Sequence, residues 1–201
     1  MKKTLLPVFS ALALAAQAYG GVAVGSAAPD FSLKNQAGKT VHLSDFKGKL
    51  VVLEWVNPDC PFVHKHYDSG NMQGLQKKYT AKGVEWLTID SSAEGSEGYL
   101  GGPKDAKAFI KERHAAMSDL LLDHAGAVGM AYGAKTTPTM FVIRRDGRVA
   151  YEGAIDDKAS TDVADVPTAK NYVAVALDEI EAGKPVTVTQ TRSYGCSIKY
   201  K

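Results

Sequence analysis

Cysteine is scarce: Cys60 and Cys196 are the only two in 201 residues. Two thiols so far apart cannot build the disulfide framework that staples small secreted domains. They are left to be bridged, catalytic, or both. Beyond the first 18 residues there is no apolar run long enough to span a bilayer, so no permanent membrane segment is expected. Basic stretches never exceed two or three residues, which argues against nucleic acid or an anionic membrane surface as a partner. Internal repeats and low-complexity segments are also lacking.

The N-terminus carries a targeting pattern. Lys2 and Lys3 precede an almost unbroken apolar stretch over residues 5–16, and Ala16-Gln17-Ala18 supplies a small-x-small cleavage site. Residues 1–18 are therefore expected to be a secretory signal peptide cleaved after Ala18, delivering the chain to the periplasm or outside the cell. The alternative is a buried N-terminal helix. Residues 19–201 then form one domain, with residues 184–201 as a C-terminal tail. The chain has 24 Lys and Arg against 22 Asp and Glu, so loss of Lys2 and Lys3 leaves it close to neutral.

Patterning places short extended segments at 30–33 and 39–43 around Asn35-Gln36-Ala37-Gly38, a hairpin turn. Residues 50–56 are apolar at nearly every position, as in a strand buried on both faces. A helix is expected from Pro61 to about Lys82, stopped by Gly83. Residues 84–90 read as a second central strand, and 91–102, with four glycines, as an exposed loop. A helix over 103–113 turns Ala106, Phe109 and Ile110 inward. A strand at 120–123 and a helical turn at 128–132 follow. Strands at 139–144 and 148–154 flank Arg145-Asp146-Gly147, and a last helix covers 168–182. The order implies an α/β sandwich, with a mixed central sheet, helices on both faces and an N-terminal β-hairpin extension.

Asn57-Pro58-Asp59-Cys60-Pro61 brings a buried strand to its end and sets a sulfur at the first turn of a helix. Unpaired N–H groups and the positive end of the helix dipole favour thiolate over thiol there, so Cys60 is the candidate nucleophile. Cys196, in Ser193-Tyr194-Gly195-Cys196, is the only thiol that could resolve Cys60 within the chain; the alternative is a packed or exposed thiol without a role.

Four motifs together resemble a known family. They are Ala28-Pro29-Asp30-Phe31-Ser32-Leu33, Leu43-Ser44-Asp45-Phe46-Lys47-Gly48-Lys49, the strand ending at Cys60-Pro61, and Thr136-Thr137-Pro138-Thr139-Met140-Phe141. They are similar to the redoxin branch of thioredoxin-like proteins, which holds the alkyl hydroperoxide reductase/thiol-specific antioxidant (peroxiredoxin) proteins and exported thiol–disulfide oxidoreductases. Within that branch the chain resembles a peroxiredoxin-like group with Asn-Pro-x-Cys-Pro-Phe-Val and a C-terminal Gly-Cys-x-Ile-Lys, here Gly195-Cys196-Ser197-Ile198-Lys199.

The resemblance implies a thioredoxin-like fold. It also implies a cis peptide at Thr137-Pro138, with Thr137, Pro138 and Pro61 lining the substrate site, and a catalytic set of Cys60, Cys196, Glu54 and Asn57. Glu54 stands where thioredoxin has its buried carboxylate, with a proton-transfer role; the alternative is an edge residue reaching solvent or a lysine. Val63 occupies the second position of a Cys-x-x-Cys pair, excluding a redox cycle inside that motif. Leu53 and Asn57 stand where typical peroxiredoxins have Pro and Thr, so disulfide exchange is expected to outpace peroxide reduction. Expected partners are protein or small-molecule thiols, disulfides and peroxides, with an external reductant and no metal or cofactor. His64, Lys65 and His66 read as solvent-facing residues, and Asp156-Asp157 as a turn or capping device. Two rival functions remain: a copper-binding module using Cys60 with His64 or His66, and a redox-inactive binding domain.

Overall fold

The computed structural model describes residues 21–201, so the expected signal peptide lies outside the described residues. The strands are β1 (Ser32–Asn35), β2 (Thr40–His42), β3 (Val51–Val56), β4 (Glu85–Asp90), β5 (Asp119–Leu122), β6 (Thr136–Thr137), β7 (Thr139–Ile143), β8 (Val149–Gly153) and β9 (Cys196–Ser197). The helices are α1 (Pro61–Asp68), α2 (Asn71–Thr80), α3 (Pro103–Glu112), α4 (Ala127–Tyr132) and α5 (Tyr172–Glu181). Seven strands form one sheet in the order β2-β1-β5-β4-β3-β7-β8, and β6 with β9 forms a separate pair. β3, β4 and β5 run parallel, while β1–β2, β1–β5, β3–β7 and β7–β8 are antiparallel. The mixed α/β sandwich and its N-terminal hairpin are as the sequence predicts.

β3 is central and buried at every residue. Strand periodicity sends Val52 and Val56 to one face, where they join Val63, Tyr67, Met72, Tyr79, Val173 and Leu177 from the helices. Val51, Leu53 and Trp55 face the other way, toward Phe31, Val41, Val128 and Tyr132. Trp55 packs with Tyr132 and Phe141 at centroid distances of 5.4 Å each. Buried side chains of this size contribute roughly 1.5–3 kcal/mol each, which fixes the sheet position from which the site is built.

Two expectations are corrected. The single helix to Lys82 is two helices, because Gly70 takes a left-handed conformation (φ +75°) between them. The loop after β4 is not simply exposed: Ser91, Ser92, Ala93 and Leu100 are buried. Its polar residues bond inward, with the Asp90 carboxylate accepting from the N–H groups of Ser92 and Leu100. Ser91 Oγ donates to Asp123 and accepts from Trp55 Nε1.

Candidate active site

The site lies where β3 ends beside the start of β7, since Trp55 is in register with Thr139 and the Thr137–Pro138 peptide precedes it. That peptide is cis. The loop from β3 into α1 is fixed from several sides. The Asn57 carbonyl accepts the Cys60 N–H at 3.1 Å. Asn57 Oδ1 accepts the Asp59 N–H at 2.8 Å, and Nδ2 donates to the Glu97 carbonyl at 3.0 Å. The Asp59 carboxylate accepts the Gly98 N–H at 2.8 Å. Gly98 has φ +79° and lies so close to the Asn57 amide that a Cβ would overlap it. Both ends of that amide are therefore used inside the loop.

Cys60 is the N-cap of α1, and Pro61 opens the helix. The N–H groups of Val63 and His64 meet the Cys60 carbonyl, each at 2.9 Å. The sulfur instead donates to the Thr137 carbonyl at 3.1 Å. It is 1% exposed.

What covers it is the C-terminal tail. Thr136 and Thr137 pair antiparallel with Ser197 and Cys196, which sets Cys196 opposite the residue that holds the Cys60 thiol. Both cysteines are unbridged. Burial first, then the neighbouring Cys60, push the Cys196 thiol up to about 12, so it holds its proton at neutral pH. Gly195 (φ +130°) is packed against the Thr137 carbonyl, where a Cβ would collide. Farther on, the Ile198 N–H donates to the Lys135 carbonyl at 3.0 Å and the Ala93 N–H to the Lys199 carbonyl at 2.8 Å. Tyr200 donates to the Ala134 carbonyl at 2.7 Å, with its ring in a notch that a Cβ at Gly126 or Gly129 would fill.

Two buried polar clusters flank the thiols. Glu54 is 1% exposed and accepts from Tyr67 Oη, Gln76 Nε2, Trp86 Nε1 and Thr88 Oγ1 at 2.9, 3.2, 2.7 and 3.0 Å. Burial raises its pKa against the opposing pull of those donors. The burial expected of it holds, and the solvent-facing alternative does not; none of these four bonds runs to a thiol.

The second cluster corrects the reading of Lys65 and His66 as solvent-facing residues, for both are buried; Asp156, buried with them, does form the expected turn, its Oδ1 accepting the Lys158 N–H at 3.0 Å. Lys65 Nζ donates to the Lys158 carbonyl at 2.7 Å and lies 3.7 Å from Asp156 Oδ2. His66 Nε2 lies 3.2 Å from the hydroxyl of Tyr194, a tail residue, and Nδ1 2.9 Å from Asn71 Nδ2. Tyr194 also donates to Asp156 Oδ1. Burial, together with the Lys65 charge and against the Asp156 charge, lowers the His66 pKa to about 4.

The histidines do not converge on Cys60 as a copper site requires. His64 Nε2 sits 2.6 Å from the Pro58 carbonyl and 2.8 Å from Arg113 Nη2, a fixed cation, while His66 belongs to the tail cluster. Among the described residues no group of three His, Cys, Asp or Glu side chains could hold a metal ion. Tyr194 and Arg113 are site residues that the sequence reading did not single out.

Comparison with known proteins gives the family and the fold. The Redoxin family model matches residues 23–173, leaving the Cys196 tail beyond the match. The thiol-disulfide oxidoreductase ResA of Bacillus thuringiensis is 31% identical over 129 residues, covering 64% of this chain and 68% of that protein. A hypothetical protein from Sinorhizobium meliloti superposes with a TM-score of 0.76 at 25% identity, over 90% of this chain and 97% of its own. An uncharacterised conserved protein from Geobacillus kaustophilus gives 0.75 at 29%, over 89% and 93%. With a thioredoxin-like fold and three quarters of its length in that match, the chain belongs to the Redoxin family.

Proposed function

We propose that the chain is a thiol–disulfide oxidoreductase in which Cys60 attacks and Cys196 resolves. The observation that carries this is the Thr137–Cys196 pairing, which sets the second cysteine opposite the residue whose carbonyl accepts the Cys60 thiol. The ResA relative, named for the same activity, supports it. The Cys60 thiolate attacks one sulfur of a substrate disulfide. That S–S bond breaks, a mixed disulfide forms, and one substrate thiolate leaves. Cys196 then attacks Cys60 Sγ, its proton passing to the second departing sulfur. The products are a Cys60–Cys196 disulfide and two substrate thiols, and an external dithiol returns the two electrons.

Asn57 and Glu54 serve as positioning residues, because their hydrogen bonds are spent on the loop and on the sheet–helix interior. Thr137, Pro138 and Pro61 border the attacking sulfur. Peroxide is a slower oxidant of the same thiol, since the Asn57 amide is spent inside the loop and Arg113 on His64 and Asp68. Export through cleavage after Ala18 would put this chemistry in an oxidising compartment.

The test is turnover of a fluorescent disulfide with a dithiol reductant, combined with non-reducing peptide mapping. Cys60→Ala should lose all turnover, and Cys196→Ser should accumulate the mixed disulfide. Recovery of Cys60 only as sulfinic acid or capped by small thiols, with Cys196 free, would rule out the resolving role.

A further inference from the structure

β6 is a two-residue strand whose partner is β9, lying outside the main sheet. Without β9 its backbone would be a bare strand edge beside Cys60, able to pair with any extended chain. Two residues of pairing form a weak ladder. The tail is held instead by anchors on either side of it: Tyr200 in the Gly126–Gly129 notch and Tyr194 in the second buried cluster. Tyr194 packs 5.7 Å from the Phe62 ring, has Lys65 Nζ 5.8 Å from its own ring, and gives its hydroxyl to Asp156. The pocket it enters belongs to the body of the domain, with Phe62, Lys65 and His66 on α1 and Asp156 beyond β8. Asp156 Oδ2 is buried there without a hydrogen-bond partner among the described residues.

We propose that residues 193–198 are a built-in occupant of a polypeptide-binding groove, latched by Tyr194, and that an external substrate is an extended polypeptide that displaces them. For its substrate this rests on the oxidoreductase reading. The latch stands on geometry alone. The groove reads the backbone through Thr136 and Thr137. It accepts an aromatic hydroxyl two positions before the attacked cysteine, in the pocket of Phe62, Lys65, His66 and Asp156. Between those two positions it admits glycine, because the Thr137 carbonyl leaves no room for a Cβ. With the tail seated, Cys60 has almost no exposed surface, so every reagent waits for the strap to open.

The experiment uses the full chain in a Cys196→Ser background. It measures alkylation of Cys60 by iodoacetamide and hydrogen exchange of the Ile198 amide. Gly195→Ala should dislodge the strap and speed both at least tenfold; Tyr194→Phe, which keeps the ring and removes the hydroxyl, should speed both by less. A peptide of residues 192–201 with serine at the Cys196 position should slow alkylation of the Gly195→Ala protein again. The same peptide with alanine in place of its tyrosine should not. Unchanged Ile198 exchange and alkylation in both variants would overturn the latch, and equal protection by the two peptides would overturn the aromatic pocket. Faster Ile198 exchange with Cys60 still unreactive would sustain the latch while sinking the oxidoreductase reading.

Discussion

Glu54 and Asp156 are both carboxylates sealed inside the protein, but they are held by different kinds of partner. Glu54 takes four hydrogen bonds from neutral groups on α1, α2 and β4, all parts of the main fold. Asp156 lies near two basic side chains and takes a hydrogen bond from Tyr194, which belongs to a detachable segment. The first arrangement ties elements that never separate. The second couples the interior to a strand that can leave, so its electrostatics bear on access to Cys60 as well as on stability.

The largest effect should come from Glu54→Ala, which strands several buried donors at once. A loss of about 3 kcal/mol or more is expected in urea unfolding. Glu54→Gln should cost less and leave Ile198 exchange unchanged. Asp156→Asn sharpens the contrast: about 2 kcal/mol is expected to be lost because the buried Lys65 charge goes unmatched. Here, unlike at Glu54, exchange at Ile198 should quicken. Equal exchange in the two variants would erase the distinction between the clusters.

Acid separates them further. His66 titrates near 4 in the folded chain against 6.5 unfolded, so between those values the unfolded state binds the extra proton. Stability should therefore rise with pH across that window, by on the order of 2–3 kcal/mol, and His66→Gln should flatten the rise. Glu54 has the opposite sign. Its pKa is raised from 4.5, so the folded state holds the proton longer, and its contribution fades as pH rises through the folded-state value. Unfolding titrations of Glu54→Gln and His66→Gln should deviate from wild type in opposite directions. The smallest effect belongs to Tyr200→Phe, which removes one hydrogen bond to the Ala134 carbonyl and should cost about 0.5–1.5 kcal/mol.

The contrast also marks how far the sequence could be read. The apolar run around Glu54 allows a buried acid and equally an edge residue reaching solvent or a lysine, and the interior place of β3 decides for burial. Its partners are not legible, since Thr88 and Trp86 reach it only through the β3–β4 register, which no local pattern encodes. Lys65 and His66 defeat a residue-by-residue reading: charged side chains next to an active-site helix turn are ordinarily solvated, and here a tail residue 128 positions away closes over His66. Gly70 broke a helix whose apolar spacing looked continuous. Cys60 and Pro61 were legible because each is tied to a local backbone demand, and the cis Thr137–Pro138 peptide because the family resemblance implies it. The proximity of Cys196 was not, because it depends on where a tail of more than a dozen residues comes to rest.

That tail joins the domain at the end of α5, and its attachment outlasts any opening of the strap. A released Cys196 therefore stays within a short tether of Cys60, and such tethers hold their ends at millimolar effective concentrations. Dissolved thiols below that level lose the competition for an oxidised Cys60, whatever their intrinsic reactivity. The reductant that regenerates the pair must therefore win by docking on the protein, because abundance alone will not suffice.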